Sequence, residues 1–448
     1  MFKKAFALVL CAVLLLVSFS GCSLNFFSVE SLMAPPVQTG RNGEVQAAFK
    51  KYMNDKNVLL KTPAKGDFQT PYIFFDLNGD GQQEALVFYV DNTIDASVRF
   101  AILECINDTW VISAALTGAG NGVYDVAFND MNNDGVFELF IGWSLFEAKT
   151  SRVVTVYSVN RGNNGVLALE LLASEYYNAK SFVDFNNDGR SDLVLVFLDD
   201  STGIQKSYMR NFSLSESGEL VKYSEILINS AITSVAQIQY DTPADTGITR
   251  LFIDCLKSDT LVFTEVIYWN NSKLSAVRAF EDAGTATLRN AKLLSYDIDG
   301  DGLIEVPQPI SLSGGETNLN FTIGDEAYSF SLLKWMNLVG DKSEGSVTTL
   351  FNPLNSYLFR FNWNSGVTVR YDKFRETLAF CEWSEEEAAV KDELFNISTR
   401  PSDAERPDYS DGIILSENGV AYYYGITDYG DEQGITADAV ISSFINLK

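Results

Sequence analysis

Histidine is absent from all 448 positions of this chain. That single absence excludes Ser-His-Asp and Cys-His nucleophilic catalysis, the HExxH metalloprotease site and histidine-ligated zinc. Any metal here must be held by oxygen. Cations are scarce too: 33 Lys plus Arg stand against 59 Asp plus Glu, a formal net charge of −26. Nucleic-acid phosphates demand basic patches, so nucleic acid is excluded as a partner, and charge alone would not hold the chain to anionic lipid. Cysteine is sparse, with five residues. Cys105, Cys255 and Cys381 are too widely spaced to read as a disulfide framework; each sits in or beside an apolar strand-like segment, where a buried free thiol is expected. The unbroken apolar run from Ala5 to Val17 has 13 residues, fewer than the roughly 20 that a spanning helix needs.

What is present begins with an address. Met1 to Lys4 form a short basic start, and with the apolar run they read as a signal peptide over residues 1–21. It ends in Phe19-Ser20-Gly21-Cys22, which resembles the bacterial lipobox, although Phe19 stands where the family has an aliphatic residue. An ordinary secretory cleavage is the alternative. The resemblance implies that Cys22 is acylated, with palmitate or a similar chain, and that lipid attaches the protein to the extracytoplasmic face of a bacterial membrane. Residues 22–43 are rich in Ser, Pro, Asn and Gly and read as a tether. Val45, Ala48, Phe49, Tyr52 and Met53 then form an apolar stripe at helical spacing.

Four segments share the pattern D-x-[ND]-x-D-G-x-x-[DE], starting at Asp76, Asp130, Asp184 and Asp297. The first three starts are 54 positions apart and the last follows after 113, about twice that period. A fifth copy is therefore expected near position 240. It stands there in degenerate form, from Asp241 through Pro243 and Asp245 to Thr249 and Arg250. Between the loops the chain reads as short strands, in the first period Glu84 to Val90, Ser97 to Glu104, Thr109 to Leu116 and Val123 to Phe128. Four strands per period predict a mainly β fold, a β-propeller of four-stranded blades, with a stacked β-solenoid as the alternative. Five, six or seven blades are open, depending on how Lys56 to Ile73 and Asn318 to Trp335 complete the series. Gly118, Gly120 and Gly122 give a nucleotide-like spacing, but strand rather than helix follows, so no nucleotide is expected.

Over about residues 70 to 310 these repeats resemble FG-GAP or VCBS repeats, the type found in integrin α-subunit propellers and in many secreted bacterial proteins. The lipobox, the tether, "SLMAPP" and "DLNGDGQQEALVFY" together resemble a group of bacterial lipoproteins.

The loops offer a shell for calcium, a hard cation that takes six to eight oxygens at about 2.3–2.6 Å. Side-chain ligands at positions one, three, five and nine are Asp76, Asn78, Asp80 and Glu84; Asp130, Asn132, Asp134 and Glu138; Asp184, Asn186, Asp188 and Asp192; and Asp297, Asp299, Asp301 and Glu305. Position seven adds the backbone carbonyls of Gln82, Val136, Arg190 and Leu303. Three to four calcium ions are expected, the tightest at 297–305, where all four side chains are acidic. Plain Asx turns are the alternative. Carboxylates held about 4 Å apart repel by roughly 4 kcal/mol per pair at an effective dielectric of about 20, which favours a cation. An EF-hand would need an acidic residue at position twelve, where Val87, Ile141, Leu195 and Gln308 stand instead.

The propeller with its leading helix is expected over 44–342 and a small α+β domain over 343–448. In the latter, strands are expected at Tyr357 to Trp363, Val367 to Tyr371, Thr377 to Glu382, Leu394 to Thr399, Ile413 to Leu415 and Val420 to Ile426, with a helix from Thr436 to Phe444. This order is similar to that of PsbP-like domains, a binding fold. Tyr422, Tyr423 and Tyr424 suggest a sugar-stacking platform, or else strand aromatics divided between core and surface. With no catalytic signature, the expected function is non-enzymatic: a calcium-stabilised lipoprotein in the cell envelope, binding a cell-surface protein or glycan or serving as a scaffold. The alternative is a polysaccharide hydrolase or lyase with carboxylate acid and base.

Overall fold

The strand that follows each of the first three acidic loops is the most apolar of its period, and the fold explains why. The computed structural model describes residues 40–447, apart from 55, 57, 146–151, 163–164, 201–202, 230–231, 271–272, 277–286, 311–317, 324–325, 340–341 and 361–365. The expected signal peptide, the expected lipid site Cys22 and the tether up to residue 39 lie outside the described residues. The described residues up to 56, with helix Arg41–Tyr52, and Cys105–Ile112 belong to one compact unit; those of Val58–Glu104 and from Ser113 onward belong to a second. In the first unit the helix buries Val45 and Phe49. Trp110 Nε1 donates to Glu44 Oε2 at 3.3 Å, and the Arg41 guanidinium lies 5.3 Å from the Trp110 ring centroid. The buried stripe is narrower than its spacing suggests, because Tyr52 is exposed.

The described residues form six antiparallel sheets, arranged like propeller blades. The first pairs Leu59–Lys61 and Tyr72–Phe75 with the same edge of Glu84–Val90, followed by Val98–Ile106 and Thr109–Thr117. The second runs Gly122–Asn129, Glu138–Ser144, Arg152–Arg161, Leu167–Tyr177, and the third Ala179–Val183, Asp192–Asp199, Lys206–Leu214, Leu220–Ile228. The fourth runs Ser234–Asp241, Arg250–Ser258, Leu261–Asn270, Lys273–Ala276. Each acidic loop in the second and third sheets joins the first strand to the second.

Neighbouring sheets pack face to face. Phe88 and Phe100 of the first sheet stand 6.0 and 6.1 Å from Trp143 of the second. Phe140, Val154 and Val156 meet Leu193, Leu195 and Phe212 of the third. Val194, Val196 and Met209 meet Ile253, Cys255 and Phe263 of the fourth. A strand covered on both faces reads as a continuous apolar run, and Glu84–Val90 is buried at every position. The last strand of a sheet has less cover, so Leu167–Tyr177 and Leu220–Ile228 are mostly half-buried or exposed. Gly118 and Gly120 serve this packing. A β-carbon on Gly118 would lie 2.2 Å from the Trp143 ring, and one on Gly120 would lie 2.4 Å from the Ser144 carbonyl.

The carboxyl-terminal strands fall close to their expected positions, but the boundary at 343 does not divide two domains. Lys342–Asn352 pairs with Glu326–Val339 inside a fifth sheet that also holds Val306–Ile310, Asn318–Ile323, Tyr357–Arg360 and Phe444–Asn446. The loop motif ends at Glu305 while the hydrogen-bonded sheet continues past it. The sixth sheet runs Val367–Asp372, Thr377–Ser384, Ala389–Pro401, Val420–Ile426, Gly412–Glu417. Short helices Asp428–Glu432 and Ala437–Ser443 follow it, capped by the side chains of Thr427 and Thr436. Phe359 of the fifth sheet and Phe380 and Phe395 of the sixth share one core. Tyr422 and Tyr423 are buried, and Tyr422 packs against Tyr357 and Phe444. No stacking platform forms from this triplet, because its first two rings are spent on the core. Cys255 and Cys381 are buried free thiols, and Cys105 is half-buried.

Candidate metal loops

The four loops share one hydrogen-bonded form. Position one accepts through both oxygens: Oδ1 takes the position-five N–H at 3.1–3.2 Å, and Oδ2 takes the position-six glycine N–H at 2.8–3.0 Å. Position three accepts the position-five N–H through Oδ1 at 2.9–3.3 Å. Position five accepts from Gln82, Val136, Arg190 or Leu303 at 2.8–2.9 Å. Position nine reaches back to the position-two N–H of Leu77, Met131, Phe185 or Ile298 at 2.8–3.1 Å. The backbone thus orients the side chains expected to act as ligands.

Two left-handed residues produce this fold of the loop. Position six is Gly81, Gly135, Gly189 or Gly302, with φ between 83° and 88°; position four is Gly79, Asn133, Asn187 or Gly300, with φ between 59° and 82°. Glycine and asparagine tolerate that region best. The recurrence of Gly or Asn at position four was a usable sequence signal beyond the acidic positions.

The donor set fits a hard divalent cation. In the fourth loop Asp297, Asp299 and Glu305 offer carboxylate oxygens within 4.8 Å of one another, the span of ligands around one ion with bonds of about 2.3–2.6 Å. Glu305 Oε1 and Asp192 Oδ1 are buried without a hydrogen-bond partner, a cost that a bound ion would remove. Burial, reinforced by the neighbouring aspartates, pushes Glu84, Glu138 and Glu305 up to about 7 and Asp192 up to about 6, against the pull of the backbone N–H groups. The first loop has internal competition: Arg161 Nη2 lies 3.2 Å from Asp80 Oδ2, and Asn78 Nδ2 donates to Glu84 Oε1 at 3.2 Å.

Strand register corrects the reading of the degenerate loop. In the four loops the residue before the motif faces position nine: Phe75 opposite Glu84, Asn129 opposite Glu138, Val183 opposite Asp192, Tyr296 opposite Glu305. Here Asp241 faces Arg250. Position one is therefore Thr242 rather than Asp241, Gly247 keeps position six, and Arg250 rather than Thr249 occupies position nine. Arg250 Nε and Nη2 donate to the two Asp241 oxygens at 2.6 and 2.5 Å, with both side chains buried. A guanidinium stands where the other loops present a carboxylate.

Successive loops touch. Asn133 Nδ2 donates to Gly189 O at 2.5 Å, Asn187 Nδ2 donates to Gly247 O, and Thr249 Oγ1 donates to Asn187 Oδ1 at 2.8 Å. Ile304 N–H, in the fourth loop, donates to Asp241 Oδ2 at 2.8 Å. A β-carbon on Gly79 would lie 2.1 Å from Gly135 O, so the first loop approaches the second as only glycine permits. Beside the second loop opens a cleft of about 860 Å³, lined by Asp134, Glu138, Glu170, Leu171, Glu219 and Lys222 among others. Outside the loops burial also raises Glu265, which is not part of that lining.

No family model matches the chain, and no curated protein matches it. Among solved structures it is similar to a periplasmic gluconolactonase from Pseudomonas aeruginosa, at 11% identity over 75% of this chain and 88% of that one, with a TM-score of 0.29. Sqt1 from Chaetomium thermophilum is similar at 10% identity over 77% and 93%, with a TM-score of 0.30. At this level of similarity neither name carries over to this chain.

Proposed function

We propose that this protein is a calcium-stabilised binding or scaffold module of a bacterial cell envelope, without enzymatic activity, tethered by lipid on Cys22 to the extracytoplasmic face and engaging a cell-surface protein or glycan. The observation that carries the calcium part is the recurrence of one oxygen-rich loop at 76–84, 130–138, 184–192 and 297–305, with Glu305 Oε1 and Asp192 Oδ1 buried and unpartnered. In each loop the side chains at positions one, three, five and nine and the position-seven carbonyl would hold the ion. Calcium supplies the positive charge that lets clustered carboxylates stay ionised. The chain's own residues do the rest: the backbone N–H groups fix the carboxylates, and the loop sets the angle between first and second strands. The FG-GAP or VCBS resemblance and the lipobox of residues 19–22 support the envelope placement.

The first test is made on the chain from Ser23 onward. Asp299→Ala with Asp301→Ala should lower the melting temperature in calcium and leave it unchanged in chelator. Equal shifts in both buffers would overturn calcium stabilisation. Retention of an envelope protein or polysaccharide by the immobilised chain, in calcium only, would identify the partner class.

Polysaccharide cleavage is favoured by one observation, the placement of Glu170 and Glu219 in a single cleft outside the ligand positions. Under that reading the wild-type chain releases sugar fragments from envelope polysaccharide, and Glu170→Gln or Glu219→Gln abolishes the release. A wild-type chain that releases none overturns it.

A further inference from the structure

The third loop differs from the other three at position nine. Asp192 stands there instead of glutamate, so its carboxylate hangs from a side chain one methylene shorter. It is nevertheless 1% exposed, and Oδ2 still accepts the Phe185 N–H at 3.1 Å. What holds the shorter group comes from outside the loop. Tyr223, on the strand Leu220–Ile228, donates its hydroxyl to the same Oδ2 at 2.9 Å. Its ring stands edge-on to Trp269, centroids 5.3 Å apart at 81°, and Trp269 also packs against Phe185 at 6.1 Å. The phenol is therefore braced by the neighbouring sheet, and that sheet also touches the loop's second residue. With two donors on Oδ2, Asp192 Oδ1 is left buried without a partner.

We propose that Tyr223 is a positioning residue for the third cation site, its hydroxyl fixing Asp192 so that Oδ1 is presented to the ion. A tyrosine reaching in from another strand then does what the extra methylene does in the glutamate loops. This rests on the calcium reading of the loops. Groups that orient a metal ligand from outside its first coordination shell alter affinity by about 10–100-fold when removed.

The experiment is calorimetric calcium titration of the whole chain, paired with thermal melting in chelator. Tyr223→Phe deletes the hydroxyl and keeps the ring. One class of site should weaken by about 10-fold or more while the remaining sites and the melting temperature in chelator hold. Adding Asp192→Glu to Tyr223→Phe rebuilds the pattern of the other loops and should restore the lost affinity. A Tyr223→Phe chain that titrates like wild type overturns the role of Tyr223 alone. Loss in both calcium and chelator that the double variant does not repair makes Tyr223 a packing residue and also overturns the proposal. A wild-type chain that takes up no calcium overturns this inference together with the reading beneath it.

Discussion

Burial holds the carboxyl groups of Glu84, Glu138 and Glu305 up at about 7, from an ordinary value of 4.5. In metal-free protein, the folded state retains protons that the unfolded chain releases. That stabilisation is complete below about 4.5 and disappears as the pH rises through 7. A cation requires the opposite, since it binds the ionised groups. The gap in melting temperature between calcium and chelator should therefore widen from pH 5.5 to pH 8, as scanning fluorimetry would record; a constant gap would argue that these three groups are not ligands. Arg250 should behave differently. Arg250→Ala leaves Asp241 buried without its guanidinium, at a cost of about 3–5 kcal/mol, and urea unfolding should show that loss equally in calcium and chelator. The sequence contrast between the two cases is instructive. The loop ligands are contiguous, so their spacing alone reveals them. Arg250 takes position nine through strand pairing, and Tyr223 reaches Asp192 from 31 positions away; neither relation has a local pattern to read.

Strands were legible where both faces are covered, because continuous burial leaves a continuous apolar run. Asp192–Asp199 is such a strand, and Leu195 within it is fully buried between the second and third sheets. Leu195→Ala should destabilise by about 2–5 kcal/mol, with the same loss in both buffers by urea unfolding. A loss confined to calcium would tie that core to the loops. The boundary near 343 was illegible for a converse reason. Glu326–Val339 is a long strand with mixed patterning, and its partners lie on both sides of the expected boundary. Helix Arg41–Tyr52 was placed by its stripe to within a few residues, though Tyr52 faces solvent.

At the scale of the whole molecule, a net charge of −26 works against compaction. Screening should relieve that strain most where no divalent cation does so. Raising sodium chloride from 0.01 M to about 0.5 M shrinks the Debye length from roughly 30 Å toward a few ångströms. The melting temperature in chelator should rise over that range by more than it does in calcium; equal rises would assign the repulsion to surface charge away from the loops. Chain topology at the carboxyl end has its own consequence. Tyr357–Arg360 and Phe444–Asn446 are hydrogen-bonded neighbours in the fifth sheet, yet every strand of the sixth lies between them in the chain. The sixth sheet is thus an excursion stitched to the fifth at both its exit and its return. A pull on the carboxyl end therefore loads the edge strand Phe444–Asn446 of the fifth sheet before it reaches any strand of the sixth.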